Sequence, residues 1–424
     1  MVASVVIAFV VLVALSTPIV FALGLSGIIG LALGNFSLQK LPSALVAGSQ
    51  SWVLLAVPTF VFAGALMERC GMSYALVNLA RGLVGWVRGG LGMSVVLAEY
   101  FFSGISGSTI ADVSAIGSML TPPMLRAGYK PEHAASLVAS ATAMGILVPP
   151  AIFMIVLGQI MDTSVVAIFL GGFIPAAVTA ACLMVVIFVQ AHRLGWPKDE
   201  LPSWASLGVA LRASLVPLVV PVVIVLGFFF GVFTATEAGV AAVVYALLVG
   251  KFVYRDLKWP HIKEALVGTV MATGVVMFLV ATSTLFAWLI TVERVPQMIA
   301  QTMLSWSSDV VVQLLLINVF LIVLGTVLDV APALILAVPI LLPLVKTLGV
   351  DPIHFGVIIV LNVVIGLITP PVAPTLVITA NIAKLSLDRV TNAIWKYLVT
   401  MIIVLGFVTY IPALSTWLPR LLRD

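Results

Sequence analysis

Charge is what this sequence has least of. Of its 424 residues, 20 are basic and 16 acidic, about 8% in all, where a soluble domain carries roughly 25%. Cysteine is nearly absent as well. Cys70 and Cys182 stand far apart, with no CxxC pair and no Cys/His cluster. The first lack excludes a soluble enzyme and a disordered chain. The second excludes a disulfide scaffold and offers no zinc, haem or iron–sulfur pattern. No charged residue precedes Lys40, so the basic start of a cleaved leader is missing and the first apolar segment reads as a retained span. The net charge of +4 comes from basic residues scattered between apolar segments, which gives no surface suited to nucleic acid.

Hydrocarbon fills the chain instead. Hydrophobic residues make up 62% of it, the mean hydropathy is +1.27, and apolar runs of membrane-spanning length recur from end to end. This is the pattern of an all-α polytopic membrane protein. Helices satisfy their backbone polar groups segment by segment in lipid, and the short alternating segments of a closed barrel are not seen. Nine full spans are expected, at 2–33, 51–67, 132–160, 164–190, 213–232, 237–253, 265–290, 352–380 and 391–417. Two stretches, 92–125 and 313–345, each hold two apolar arms of about 11–16 residues around a small, polar centre. Arms of that length fall short of roughly 30 Å of hydrocarbon at 1.5 Å per residue, so each stretch is expected to be a re-entrant helical hairpin. Before each hairpin lies a mixed segment, 73–88 and 294–306, expected to be a helix in the headgroup plane, with an ordinary loop as the alternative.

Nine spans and two returning hairpins assign every loop to a side. Fifteen Lys and Arg fall on one side and five (Lys40, Arg294, Lys346, Arg420 and Arg423) on the other. Positive loops stay cytoplasmic. The N-terminus is therefore expected inside and the C-terminus outside, with the first hairpin entering from the cytoplasm and the second from the opposite face.

An internal repeat accompanies this topology. Residues 122–150 align without gaps on 343–371 at an offset of 221, with identities at Pro122/Pro343, Gly128/Gly349, Pro131/Pro352, His133/His354, Gly145/Gly366, Pro149/Pro370 and Pro150/Pro371. Most of these are proline or glycine, which fix backbone shape. The same offset pairs the hairpin centres, Gly104 with Gly325. The two copies have opposite orientation in the expected topology, as in the inverted repeats of many secondary transporters, whose sites lie where the halves meet.

The chemistry gathers at the repeated positions. Gly145-Ile146-Leu147-Val148-Pro149-Pro150 and Gly366-Leu367-Ile368-Thr369-Pro370-Pro371 lie in the middle of two long spans. A Pro-Pro pair removes two N–H donors and disfavours helix before it, so each span should unwind and free carbonyl oxygens. Free carbonyls at membrane depth are tolerated beside protein or a cavity, and they suit a hard cation such as Na⁺. A simple proline kink is the plainer alternative. The first hairpin tip reads Ser103-Gly104-Ile105-Ser106-Gly107-Ser108-Thr109 and the second Gly325-Thr326-Val327-Leu328-Asp329. Hydroxyls and N–H groups at the ends of half-helices can hold ions, or the small residues can serve close packing. Asp112, Asp329 and Glu237 are candidates for supporting such sites, with helix capping as the rival role. Glu99 is expected either at a subunit contact or snorkelling to the cytoplasm. His133 and His354 are expected to pack or bond backbone at span starts.

The stretches SGISGSTIADVSAIGS, AGYKPEHAASLVASATAMGILVPP, FTATEAGVAAVVYAL and GVDPIHFGVIIVLNVVIGLITPP resemble the large membrane subunit of the tripartite ATP-independent periplasmic (TRAP) transporters, the DctM/SiaM-type permeases, over essentially the whole chain. The resemblance implies the ion-transporter superfamily fold, an elevator-type motion, Na⁺ as coupling ion, no other cofactor, and import of a small organic acid across the bacterial inner membrane. It also implies two partners, a small four-helix membrane subunit and a periplasmic substrate-binding protein. The implied organisation is N-terminal scaffold helices at 1–68, an interfacial arm at 69–91 and a first transport half at 92–162. Scaffold helices follow at 163–291, then a second arm at 292–312, a second transport half at 313–382 and a C-terminal helix at 383–424. By motif, one Na⁺ would lie among Ser103, Ser106, Gly145, Val148 and Pro150, and a second among Gly325, Gly366, Thr369 and Val372, with Gly, Val and Pro contributing carbonyls. Two departures stand out. Ala235 occupies a position where the family often has Pro, and Pro374 adds a proline after the second unwound segment.

Other classes fit less well. A stand-alone Na⁺/carboxylate symporter of the same superfamily is the nearest alternative. No HExxH, Ser/His pair or DDxxD-type cluster points to an intramembrane enzyme, and paired inverted hairpins suit alternating access better than a channel.

Overall fold

The computed structural model describes residues 2–106, 109–370 and 373–421, with the backbone alone at residue 2 and across the described part of 104–111. The described residues are helical, with no strand. In chain order the helices are α1 (Val2–Ala14), α2 (Ile19–Leu33), α3 (Lys40–Ser49), α4 (Ala56–Arg69, preceded by a 3₁₀ turn at Trp52–Leu55), α5 (Met72–Val84), α6 (Gly90–Ser106) and α7 (Thr109–Arg126). Next come α8 (Pro131–Gly145), α9 (Ile152–Met161), α10 (Val165–Leu194), α11 (Trp204–Phe229), α12 (Ala235–Phe252), α13 (Trp259–Val292) and α14 (Val295–Trp306). The last six are α15 (Val310–Val327), α16 (Val330–Thr347), α17 (Pro352–Leu367), α18 (Pro374–Ile382), α19 (Leu387–Tyr410) and α20 (Ala413–Arg420). Eight of the described helices are long and apolar enough to cross a membrane, counting the Trp52–Arg69 segment together with α10, α11, α12, α13, α15, α16 and α19.

The central expectation holds at the level of the backbone. Both proline-paired spans are broken in the middle, the first into α8 and α9, the second into α17 and α18. Each begins with proline, Pro131 or Pro352, at the first helical position, where the missing N–H costs nothing. The helix ends repeat with the sequence. α7 and α16 are displaced by 221 residues at both ends, and α8 and α17 at their starts. Each break is closed by the same two turn bonds. Leu147 N–H donates to Met144 O at 3.0 Å and Val148 N–H to Gly145 O at 2.8 Å; Ile368 N–H donates to Ile365 O at 3.2 Å and Thr369 N–H to Gly366 O at 2.9 Å.

The two broken helices run in opposite directions. Glu132 at the start of α8 pairs at 3.1 Å with Arg389, just beyond the end of α18. Gly356, near the start of α17, faces Leu157 and Met161 at the end of α9. The halves also interlock, with α9 packed on α16 and α18 packed on α7 and α8.

Three expectations about the elements change. Residues 2–33 are not one span. α1 and α2 fold back on each other, so that a Cβ on Gly30 would come within 2.9 Å of Val5. Both lie on the second part of α13, with Phe9 on Phe286, Phe21 on Phe278 and Gly30 against Leu289. The turn holds Ser16 at φ +61° ahead of Pro18, but its residues are apolar or small, so hydropathy runs through it unbroken. In this hairpin Val5, near the start of α1, lies beside Gly30, near the end of α2. Residues 391–417 also divide, because α19 ends at Tyr410 and Pro412 turns the chain into α20. The hairpin arms are longer than expected, at 17 and 18 residues for α6 and α7 and 18 each for α15 and α16. Ser103 and Thr326 continue the helix instead of ending it. The two mixed segments are helices, α5 and α14, as expected, and not the loops of the alternative reading.

Candidate functional site

Each hairpin tip meets the break of its own half. In the first half, Ser103 near the end of α6 is 2% exposed, and its hydroxyl faces Gly145, the last residue of α8. A Cβ on Gly145 would lie 2.8 Å from Ser103 Oγ and 3.5 Å from Oε2 of Glu99. Glycine thus allows a close approach that puts two side-chain oxygens, Ser103 Oγ and Glu99 Oε2, beside the end of α8. Val148 and Pro150 are buried in the break that follows. Because Pro149 and Pro150 donate nothing, the carbonyls of Gly145 and Ile146 lose their helical donors. Gly145 O recovers a donor from Val148, and the remaining carbonyl lone pairs of this turn are oxygens of the kind that suit a hard ion. Ser106 ends α6, and its side chain lies outside the described residues.

In the second half the backbones themselves touch. A Cβ on Gly366 would lie 2.4 Å from the carbonyl carbon of Gly325, and one on Gly325 would lie 3.0 Å from Val363 O. Only residues without Cβ allow this approach. Thr369 donates its hydroxyl to Ile365 O at 2.6 Å, which leaves its lone pairs free to accept. Val372 lies outside the described residues. A polar network stands behind this tip. Asn362 Nδ2 donates to Asn318 Oδ1 at 2.9 Å, and Asn318 Nδ2 donates to Thr409 Oγ1 at 3.0 Å. It ties α15 and α17 to α19.

The acidic residues divide. Asp329 caps α16, its Oδ1 accepting from Val330 N–H at 2.8 Å. Glu237 forms a capping box with Thr234 at the start of α12, a helix packed on α4 and the Trp52–Leu55 turn. Asp112, in the first turn of α7, is 1% exposed, and its charge bears on Glu99. Glu99 itself neither snorkels nor lies on an outer surface. It is fully buried, accepts the Thr142 hydroxyl at 2.6 Å on Oε1, and has no partner on Oε2. Its position one helical turn before Ser103 was the sequence signal for this placement. His354 bonds Ser415 Oγ at 2.6 Å and Thr409 O at 3.1 Å, and His133 stacks edge-on to Trp196; both act in packing.

The donor set is oxygen throughout: a serine hydroxyl, a threonine hydroxyl, an unpartnered buried carboxylate oxygen and turn carbonyls. Such a set, gathered where a glycine lets tip and break meet closely, fits an alkali cation and offers no soft ligand.

Residues 6–414 match the family described as the tripartite ATP-independent periplasmic transporter, DctM component. The chain is 37% identical over 401 residues to a putative TRAP transporter large permease protein of Haemophilus influenzae, covering 94% of each chain. It is 36% identical over 403 residues to the 2,3-diketo-L-gulonate TRAP transporter large permease protein YiaN of Escherichia coli, covering 95% of each. Among solved structures, the Alcanivorax borkumensis YdaH transporter superposes with a TM-score of 0.64 at 15% identity, over 87% of this chain and 86% of that one, a likeness of fold.

Proposed function

The chain belongs to the DctM family of tripartite ATP-independent periplasmic transporters, and on that premise we propose that it is the large permease subunit of a Na⁺-coupled importer of a small carboxylate. The observation that carries the reading is the matched pair of tips and breaks. Ser103 faces Gly145 in one half and Gly325 touches Gly366 in the other, each at a helix broken by the same two turn bonds. Opposite runs of the two broken helices support an inverted repeat, whose two hairpins face opposite sides of the bilayer. The moving part of an elevator would comprise α6–α9 and α15–α18, carried against the remaining helices.

The first ion is assigned to Ser103, Ser106 and the carbonyls of Gly145, Val148 and Pro150. The second is assigned to Gly325, Gly366, Thr369 and Val372. Each Na⁺ entering down 100 mV supplies about 2.3 kcal/mol before any concentration gradient, so two ions neutralise a dianion and a third would drive it electrically. The 15-to-5 division of basic residues places the α1–α2 hairpin, with Lys40 and Arg294, at the outer face of the inner membrane. It is unaffected by the refolded N-terminus, because no Lys or Arg precedes Lys40. Membership of a tripartite family supports a small membrane subunit and a periplasmic binding protein as partners. The gulonate transported by the YiaN system is a sugar-acid anion, which supports the carboxylate class.

Reconstitution tests the reading. Proteoliposomes carrying the permease with its small subunit should take up a carboxylate only with an inward Na⁺ gradient and the substrate-loaded binding protein outside. Doubling Ser103→Ala with Ser106→Ala should weaken the Na⁺ dependence. Uptake by the permease alone would favour a stand-alone symporter, and uptake indifferent to Na⁺ would sink the coupling.

A further inference from the structure

Glu99 is a buried carboxyl group that neither the family assignment nor the motif-based ion sites use. It is fully buried in α6. No described Lys, Arg or His pairs with it, the ion pairs of the described residues being Arg69–Glu264, Arg81–Asp199 and Glu132–Arg389. Thr142 of α8 fixes one carboxylate oxygen. The other has no partner and lies with Ser103 Oγ beside Gly145 at the break, both within 3.5 Å of where a Cβ on that glycine would stand. The nearby Asp112 carboxylate adds negative charge. An unpaired carboxylate removed from water is costly, and the side chain is not free to swing away, because Thr142 holds it.

We propose that the free Oε2 of Glu99 is a direct ligand of the cation at the first tip, so that this site has a carboxylate ligand where the second has none. The proposal rests on the Na⁺ reading given above and deepens it. The repeat itself supplies the contrast. The positions 221 residues after Glu99 and Thr142 are Phe320 and Val363; Phe320 lies 44% exposed on the outside of α15. The second site therefore has hydroxyl and carbonyl oxygens but no carboxylate at the equivalent place. Two ions of one species would bind with different strength. The first would be taken up before the second, because ligand charge raises cation affinity. The same carboxylate gives a reason for tight coupling. Without its cation the Glu99 carboxylate would cross the membrane as an unpaired charge, and with it that charge is paired, so the empty site resists movement.

Na⁺ binding to the purified full-length permease tests this without transport. Native protein should show two phases of Na⁺-specific thermal stabilisation against a choline control. Glu99→Gln should shift the tighter phase to roughly tenfold higher Na⁺ or more and leave the weaker one in place. Thr142→Val, which keeps the carboxylate but frees it, should shift the same phase by less. Infrared difference spectra of native protein, with and without Na⁺, provide a check that needs no variant. A carboxylate band should move on Na⁺ binding. Unchanged Na⁺ affinity in Glu99→Gln, or a protonated carboxyl band that persists at saturating Na⁺, would overturn the proposal while leaving Na⁺ coupling intact. Absence of any Na⁺-specific stabilisation in native protein would overturn both.

Discussion

Two glycines at equivalent places in the repeat have different neighbours, and this predicts different failures. At Gly145 a new Cβ would meet Ser103 Oγ at 2.8 Å and Ser103 Cβ at 2.9 Å; the hydroxyl can rotate, but the Cβ moves only with the α6 backbone. Gly145→Ala should therefore need a small shift of α6, cost less stability than a backbone-on-backbone clash, and weaken Na⁺ binding at the first tip, read as a raised midpoint in Na⁺-dependent thermal shifts. At Gly366 the obstacle is the Gly325 backbone at 2.4–2.8 Å, and backbone cannot step aside. Gly366→Ala should push the second tip out of its break and cost about 1–3 kcal/mol, seen as a lowered unfolding temperature even without Na⁺.

Elements carry the next set of effects. Asp329 accepts from the first N–H of α16, so Asp329→Ala should cost about 0.5–2 kcal/mol as a lost helix cap. A loss that is the same with and without Na⁺ identifies the cap; a loss confined to the Na⁺-bound protein would make Asp329 part of the ion site. In the Asn318–Asn362–Thr409 chain, a double-mutant cycle between Asn318→Ala and Asn362→Ala should give a coupling of about 0.6–1.7 kcal/mol, the range found for side-chain bonds between membrane helices. The N-terminal hairpin is tested by labelling. In a protein lacking Cys70 and Cys182, Ser4→Cys and Lys40→Cys should react with an impermeant thiol reagent from the same face. Reaction from opposite faces would restore a single span at 2–33.

At the scale of the molecule, the two halves cover each other. α16 shields α9, and α7 and α8 shield α18, so neither half possesses a complete core of its own. Splitting the chain in the loop between α10 and α11 should give fragments that are protease-sensitive in detergent when made singly. Made together, they should recover Na⁺-dependent stabilisation. If either fragment alone proved compact and protease-resistant, the interlocked packing would not be what holds the transport body together.

The sequence by itself determined the material of this protein and its punctuation. Scarce charge and long apolar runs dictated membrane helices, because lipid leaves the backbone no other partner. Pro149-Pro150 and Pro370-Pro371 dictated the two breaks, because proline cannot donate. The 221-residue repeat was legible because Pro and Gly fix backbone shape one residue at a time. Tertiary structure decided what local pattern cannot carry. Hydropathy measures composition along the chain and not direction, so it ran through the α1–α2 turn and drew one span where there are two antiparallel helices. Helix length could not distinguish the 18-residue arms of α15 and α16 from spans; what folding adds is that Gly325 of α15, near the tip, meets Gly366 at the break between α17 and α18. Glu99 was visible from the start, but its role depends on Thr142, 43 residues away, and on a glycine across the tip. A buried carboxylate acquires its meaning from the groups that face it, and only folding brings those together.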